Sequence, residues 1–147
     1  MIKTIVVALD GSDHAMKAVE LAAEVASQTG ATLHLVHVVP KTRLGYGAEE
    51  FARTEHIDAP GSLAFELAEN EVIKPARAHA EEWDCRKIEQ TVLNGDPVEE
   101  VVDYARRHNA QMIFAGRRGL STVGGLLLGS FSMKLSQLAE CAVVTVK

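Results

Sequence analysis

The chain has 147 residues, of which 47% are hydrophobic and 24% charged, enough apolar material for one substantial core at the usual length of a single domain. Fifteen Lys+Arg against twenty Asp+Glu give a formal net charge of -5, which leaves no basic stripe for nucleic acid or an anionic membrane, so an anionic ligand must be held by local groups. The two cysteines, Cys85 and Cys141, form no CxxC pair and fit unbridged, mostly buried thiols in a reducing compartment better than a disulfide framework.

In chain order, the first predicted strand is Thr4–Leu9, a run too short for a signal-peptide core or a membrane span and stopped at once by Asp10. Cytoplasmic residence is the expectation. Ser12 or Asp13 then caps a helix whose apolar residues Ala15, Val19, Ala22, Ala23 and Ala26 keep helical spacing, and Gly30 ends it. A second strand follows at Thr32–Val39. Residues 41–62, with Gly45, Gly47, Pro60 and Gly61 and no persistent period, read as a long flexible loop leading into a helix over about residues 63–84. A third strand at Glu89–Leu93 precedes Asp96-Pro97, which opens a helix carrying Val98, Val101, Val102 and Ala105 on one face. The fourth strand is Gln111–Ala115, the last helix Ser130 to Glu140, and the fifth strand Ala142–Val146.

Strands and helices therefore alternate, and near-continuous apolar strands such as IVVAL and MIFA require cover on both faces. The fold class is α/β, a doubly wound parallel sheet of five strands in one domain, residues 1–147. In such a sheet, ligands bind beyond the carboxyl ends of the strands, beside the point where strand order reverses. That directs attention to Asp10-Gly11-Ser12 and to the segment from Gly116 onward.

The second of these, Gly116 to Ser132, sets the spacing G-x2-G-x9-G-S directly after a strand and before a helix. Glycines let backbone amides approach phosphate oxygens without a Cβ in the way, and a helix start offers unpaired N–H groups and the positive end of its dipole. The same residues would also serve as turn formers and a helix cap, so the glycines alone decide little.

This spacing, the opening IVVALDGSDHAMKAVELAAEVA, the LVHVV strand and the closing CAVVTVK resemble the universal stress proteins, in the subclass that binds ATP, nearly end to end. The resemblance implies a Rossmann-like sheet of HUP type with strand order 3-2-1-4-5. It also implies a triphosphate on Gly116, Arg118, Gly119, Gly129, Ser130 and Ser132, with Phe131 contributing backbone. Asp10 would serve the ribose or base and hold Mg²⁺ indirectly. Val38 would touch adenine, and Ala8 and Ala115 would line the same pocket. Ala8 and Ala142 stand where relatives often have proline, and Ala115 where they often have methionine; none of these exchanges removes a phosphate donor.

Other chemistries lack their residues. Gly124-x4-Gly129 is followed by Ser130-Phe131 rather than the lysine of a P-loop, no third glycine completes a dinucleotide fingerprint after Gly45-Tyr46-Gly47, and no GxSxG elbow occurs. His34 and His37, three apart on one strand, point to opposite faces, and no histidine pair has ligand spacing for a transition metal. A phosphoacceptor domain would need an acidic pair after strand one and an aspartate ending strand three, where Leu93-Asn94-Gly95 stands and Asp96 is the one remote candidate.

Three functional readings follow. The leading one is a binding module in which ATP is a switch ligand for oligomerisation or partner binding. A slow Mg²⁺-dependent ATPase using Asp10 and Arg118 is the second. The third, an interaction protein docked on a membrane transporter, follows the likeness to members associated with a TRAP-type ectoine transporter. The terminal strand, with Val143, Val144 and Val146, is an edge that a second copy would cover, giving the dimers the resemblance implies and a possible tetramer with ATP.

Overall fold

The structure is a computed structural model, and it describes residues 1–41, 60–117 and 129–147. Five parallel strands, β1 (Thr4–Leu9), β2 (Thr32–Pro40), β3 (Ile88–Gly95), β4 (Met112–Gly116) and β5 (Ala142–Val146), form one sheet in the order β3-β2-β1-β4-β5. The expected order 3-2-1-4-5 is therefore observed, with the reversal between β1 and its neighbours β2 and β4. β1 pairs Thr4 with Thr32 on one side and Ile5 with Met112 on the other. Its residues Ile5, Val6 and Val7 are wholly buried, which is why this strand reads as an unbroken apolar run.

Alternation along the strands divides the core into two halves. Ile5, Val7, Leu9, Leu33, Leu35 and Phe114 face α1 (Asp13–Thr29) and the helical segment before β3. Val6, Ala8, Val36, Val38, Ile113 and Ala115 face α4 (Pro97–Arg107) and α5 (Ser130–Leu138). The small stripe Ala15, Ala18, Ala22, Ala23 and Ala26 lets α1 lie close to the sheet. Ser12 caps that helix, its hydroxyl accepting the Ala15 N–H at 3.2 Å, and Gly30 ends it at φ 73° with its N–H on the Ala26 carbonyl.

Between β2 and β3 the described chain enters α2 (Pro60–Ala68), passes through a π-helical turn at Glu69–Ile73 and continues as α3 (Lys74–Glu81). Two sequence expectations are corrected here. The loop read to residue 62 ends by Pro60, because proline pre-sets the first turn of a helix. The helix over 63–84 is not one regular α-helix but carries the π turn, which seats Ile73 in the core. Residues 42–59, the rest of the loop reading, lie outside the described residues.

α4 begins at Asp96, whose carboxylate accepts the Val98 and Glu99 N–H groups at 3.0 and 3.1 Å, with Pro97 in the first turn. The last helix stops at Leu138, two residues short of the expected Glu140. Both cysteines are free, Cys85 buried and Cys141 partly so. Among the described residues, no helix is long and apolar enough to cross a membrane.

Candidate functional site

At the carboxyl end of β1 the chain turns at Asp10, whose Oδ1 accepts the Ser12 N–H at 2.9 Å. This local bond leaves the second carboxylate oxygen uncommitted among the described residues. Beside it, the Nδ1–H of His37 donates to the Leu9 carbonyl at 2.7 Å and ties the ends of β1 and β2 together. On the other side of β1, β4 ends at Gly116. A Cβ built there would lie 2.9 Å from Ala15 N, His14 C and His14 Cβ, so only glycine lets the strand end lie against the first turn of α1.

The chain re-enters the described structure at Gly129, whose N–H donates to the Arg117 carbonyl at 2.8 Å. Gly129, not Ser130, is the N-cap of α5: its backbone is extended and its carbonyl accepts the Met133 N–H at 3.0 Å. With glycine in that place no side chain caps the helix. The N–H groups of Ser130, Phe131 and Ser132 thus meet no acceptor among the described residues, the condition in which a helix start holds an anion.

These elements enclose a cavity of about 390 Å³. Its lining brings together eight of the eleven residues expected from the sequence: Ala8, Asp10, Val38, Gly116, Gly129, Ser130, Phe131 and Ser132. Ala115 is not on the lining. It is 1% exposed and packs in the core against α4 and α5, one residue too deep in β4 to reach the hollow. Arg118 and Gly119 lie outside the described residues. The Ser132 hydroxyl is not presented to the cavity as a free donor, because its proton goes to the Gly116 carbonyl at 2.7 Å.

Six lining residues have no counterpart among the sequence expectations: Leu9, Val36, His37, Pro40, Pro97 and Val101. Val36 follows from the alternation that put Ala8 and Val38 on this face. Pro97 and Val101 come from the first turns of α4, whose apolar stripe reads in sequence as core and carries no mark of the cavity at its edge.

Among the described residues the cavity thus has an apolar wall of Ala8, Val36, Val38 and Val101, one carboxylate, and a row of amides without partners at a helix start. A wall of this kind suits a flat apolar body, and a helix start of this kind suits an anion. A second hollow, of about 280 Å³, lies at the opposite end of the sheet between α4 and the segment before β5. Arg106 at its rim is already paired with Asp103 at 2.7 Å and Glu140 at 3.0 Å, which makes it a poor receiver for a further anion.

His34 is 5% exposed beneath α4, with Nδ1 2.9 Å from the Tyr104 hydroxyl, while His37 sits at the cavity end. Burial pushes the His34 imidazole below its usual range; the nearby Glu89 opposes this and His108 adds to it.

A model of the universal stress protein family matches residues 1–147. A universal stress protein of Thermus aquaticus is 35% identical over 147 residues, covering all of both chains. Among solved structures, the protein MJ0577 aligns with a TM-score of 0.82 at 24% identity, over all of this chain and 96% of its own, and agrees in fold. A universal stress protein solved in complex with cAMP aligns with a TM-score of 0.70 at 25% identity, over 99% of this chain and 97% of its own.

Proposed function

The chain belongs to the universal stress protein family, and from that premise we propose that it binds ATP at the cavity between β1, β2, α4 and α5 and uses the nucleotide as a switch ligand. The observation that carries this reading is the row of amides at Ser130–Ser132, without partners among the described residues, opening on a hollow of about 390 Å³ whose far wall is apolar. The adenine would lie against Ala8, Val36, Val38 and Val101. The uncommitted Asp10 oxygen would accept from ribose hydroxyls or hold Mg²⁺ through water. The phosphates would meet the amides at the start of α5 and the Ser130 hydroxyl, with Arg118 and Gly119 assigned by the family spacing. The relative solved with cAMP supports an adenine nucleotide as the ligand.

Asp10 is the one carboxylate among the described lining residues, too few to build both a metal cradle and a base for the attacking water. Binding rather than turnover is accordingly the function proposed. The free energy of nucleotide binding would favour one arrangement of the protein and of its assembly. β5, an edge of the sheet, would take a second copy of the chain, with a tetramer accessible when ATP is present. Protein purified without added nucleotide, denatured and examined by mass, should release an adenine compound. Equilibrium dialysis at millimolar ATP should show occupancy, and its absence would end the proposal. Pull-down with and without ATP separates a free-standing sensor from a subunit docked on a transporter.

A further inference from the structure

Ser132 stands at a junction that its sequence position does not reveal. It is the third residue of α5, 1% exposed, and its Oγ donates to the Gly116 carbonyl at 2.7 Å, with the Arg117 carbonyl further off at 3.4 Å. One residue earlier than α5, the Gly129 N–H donates to Arg117 at 2.8 Å. Arg117 is itself fixed to the sheet, its N–H on the Val146 carbonyl at 2.6 Å. The end of β4 and the start of α5 are thus joined by one backbone and one side-chain bond, and the sheet edge anchors both.

We propose that Ser132 is a positioning residue: its hydroxyl clasps α5 to the Gly116 carbonyl and so aims the Ser130–Ser132 amides at the ligand, without touching phosphate itself. A hydroxyl has a single proton, and a phosphate oxygen needs a donor; the proton committed to Gly116 cannot also serve the anion. The Ser132 amide meets no acceptor among the described residues, so the residue contributes backbone while its side chain acts on the frame. Gly116 completes the arrangement from the other side, since its lack of a Cβ lets the strand end that carries the accepting carbonyl lie against the first turn of α1. Ser130 is the contrast. It is exposed on the first turn, and its hydroxyl donates to nothing among the described residues. The clasp belongs to the protein without ligand, whereas its effect on affinity rests on the nucleotide reading above.

The test uses the full chain with S132A, S132T and S130A, read first by amide exchange in nucleotide-free protein and then by ATP affinity. S132A should speed exchange of the Gly129 and Met133 N–H groups about tenfold through more frequent local opening, and should weaken ATP binding at least about fivefold. S132T, which keeps the hydroxyl, should restore both. S130A should leave exchange unchanged while lowering affinity. If S132A does not fold, Ser132→Cys keeps the volume, weakens the donor and carries the same two readouts. Unchanged exchange with lost ATP affinity would make the Ser132 hydroxyl a direct ligand and overturn the proposal. Faster exchange with full affinity would overturn it as well, leaving a bond of structural importance only. A parent protein that binds no ATP would instead overturn the nucleotide reading, and the exchange arm would still report on the clasp.

Discussion

Replacing Gly116 by alanine tests the geometry of the site at its tightest point. The added Cβ would sit 2.9 Å from Ala15 N, His14 C and His14 Cβ, about half an ångström short of the 3.4 Å where ordinary contact begins. Two of these atoms belong to the backbone, so no side-chain rotation relieves the contact, and either the end of β4 or the first turn of α1 must move. Overpacking of this kind costs typically about 1–3 kcal/mol. For a domain of this size that is a fall in Tm of about 3–10 °C. Gly30→Ala is the control: its Cβ would meet nothing within 4 Å, and only the left-handed backbone at φ 73° is strained, for roughly 1 kcal/mol. Thermal melts would measure both, and ATP binding separates them, because Gly116 frames the cavity and Gly30 lies at the far end of α1. G116A should lose stability and most of its affinity, whereas G30A should lose stability alone. A G116A protein melting within about 1 °C of the parent would refute the close-approach reasoning.

Three further outcomes are expected. His34 is held below its ordinary value near 6.5 chiefly by burial; the unfolded chain therefore takes up a proton at a pH where the folded one does not, and stability falls as pH drops below that ordinary value. Urea midpoints between pH 7.5 and 5.5 should decline less steeply in H34Q than in the parent, and parallel profiles would exclude His34 as a source. Asp96→Ala removes the acceptor for the Val98 and Glu99 N–H groups and should cost about 1–2 kcal/mol, measured by urea unfolding. Asp10→Ala should weaken ATP binding about tenfold, equivalent to 1.4 kcal/mol, and single-turnover assays should give equal background rates for it and the parent.

The central strand β1 was legible because burial on both faces leaves it a continuous apolar run: residues 5–9 are all buried. Helix starts were legible for a local reason too. The Ser12 and Asp96 side chains bond N–H groups two or three residues away, and such bonds depend on sequence neighbours alone. The π turn at Glu69–Ile73 carries no such mark, since the turn is set by where Ile73 must pack rather than by local propensity. Pro60-Gly61 reads as a loop on composition but starts a helix, because proline is compatible with both and only the chain beyond decides.

The site divides along the same line. The donors proposed for it are backbone amides at Ser130–Ser132, and a backbone site is encoded as spacing and small residues rather than as side-chain chemistry; the interval from Gly116 to Gly129-Ser130 is therefore visible without a fold. Its apolar wall is visible only in part, because Ala8, Val36 and Val38 share one face of the sheet through strand alternation, whereas Pro97 and Val101 join them through the packing of α4. Ser132 shows the limit most sharply. A serine two residues after a glycine-serine pair is equally a phosphate ligand or a strut, and the choice depends on whether a carbonyl from a strand sixteen residues earlier lies within reach. Since the strand end at Gly116 packs against α1 and also presents that carbonyl to Ser132, the glycine and the serine should act as one unit: the double variant G116A/S132A should lose less stability than the two single losses added, because once the strand end has moved the hydroxyl has no partner left to lose.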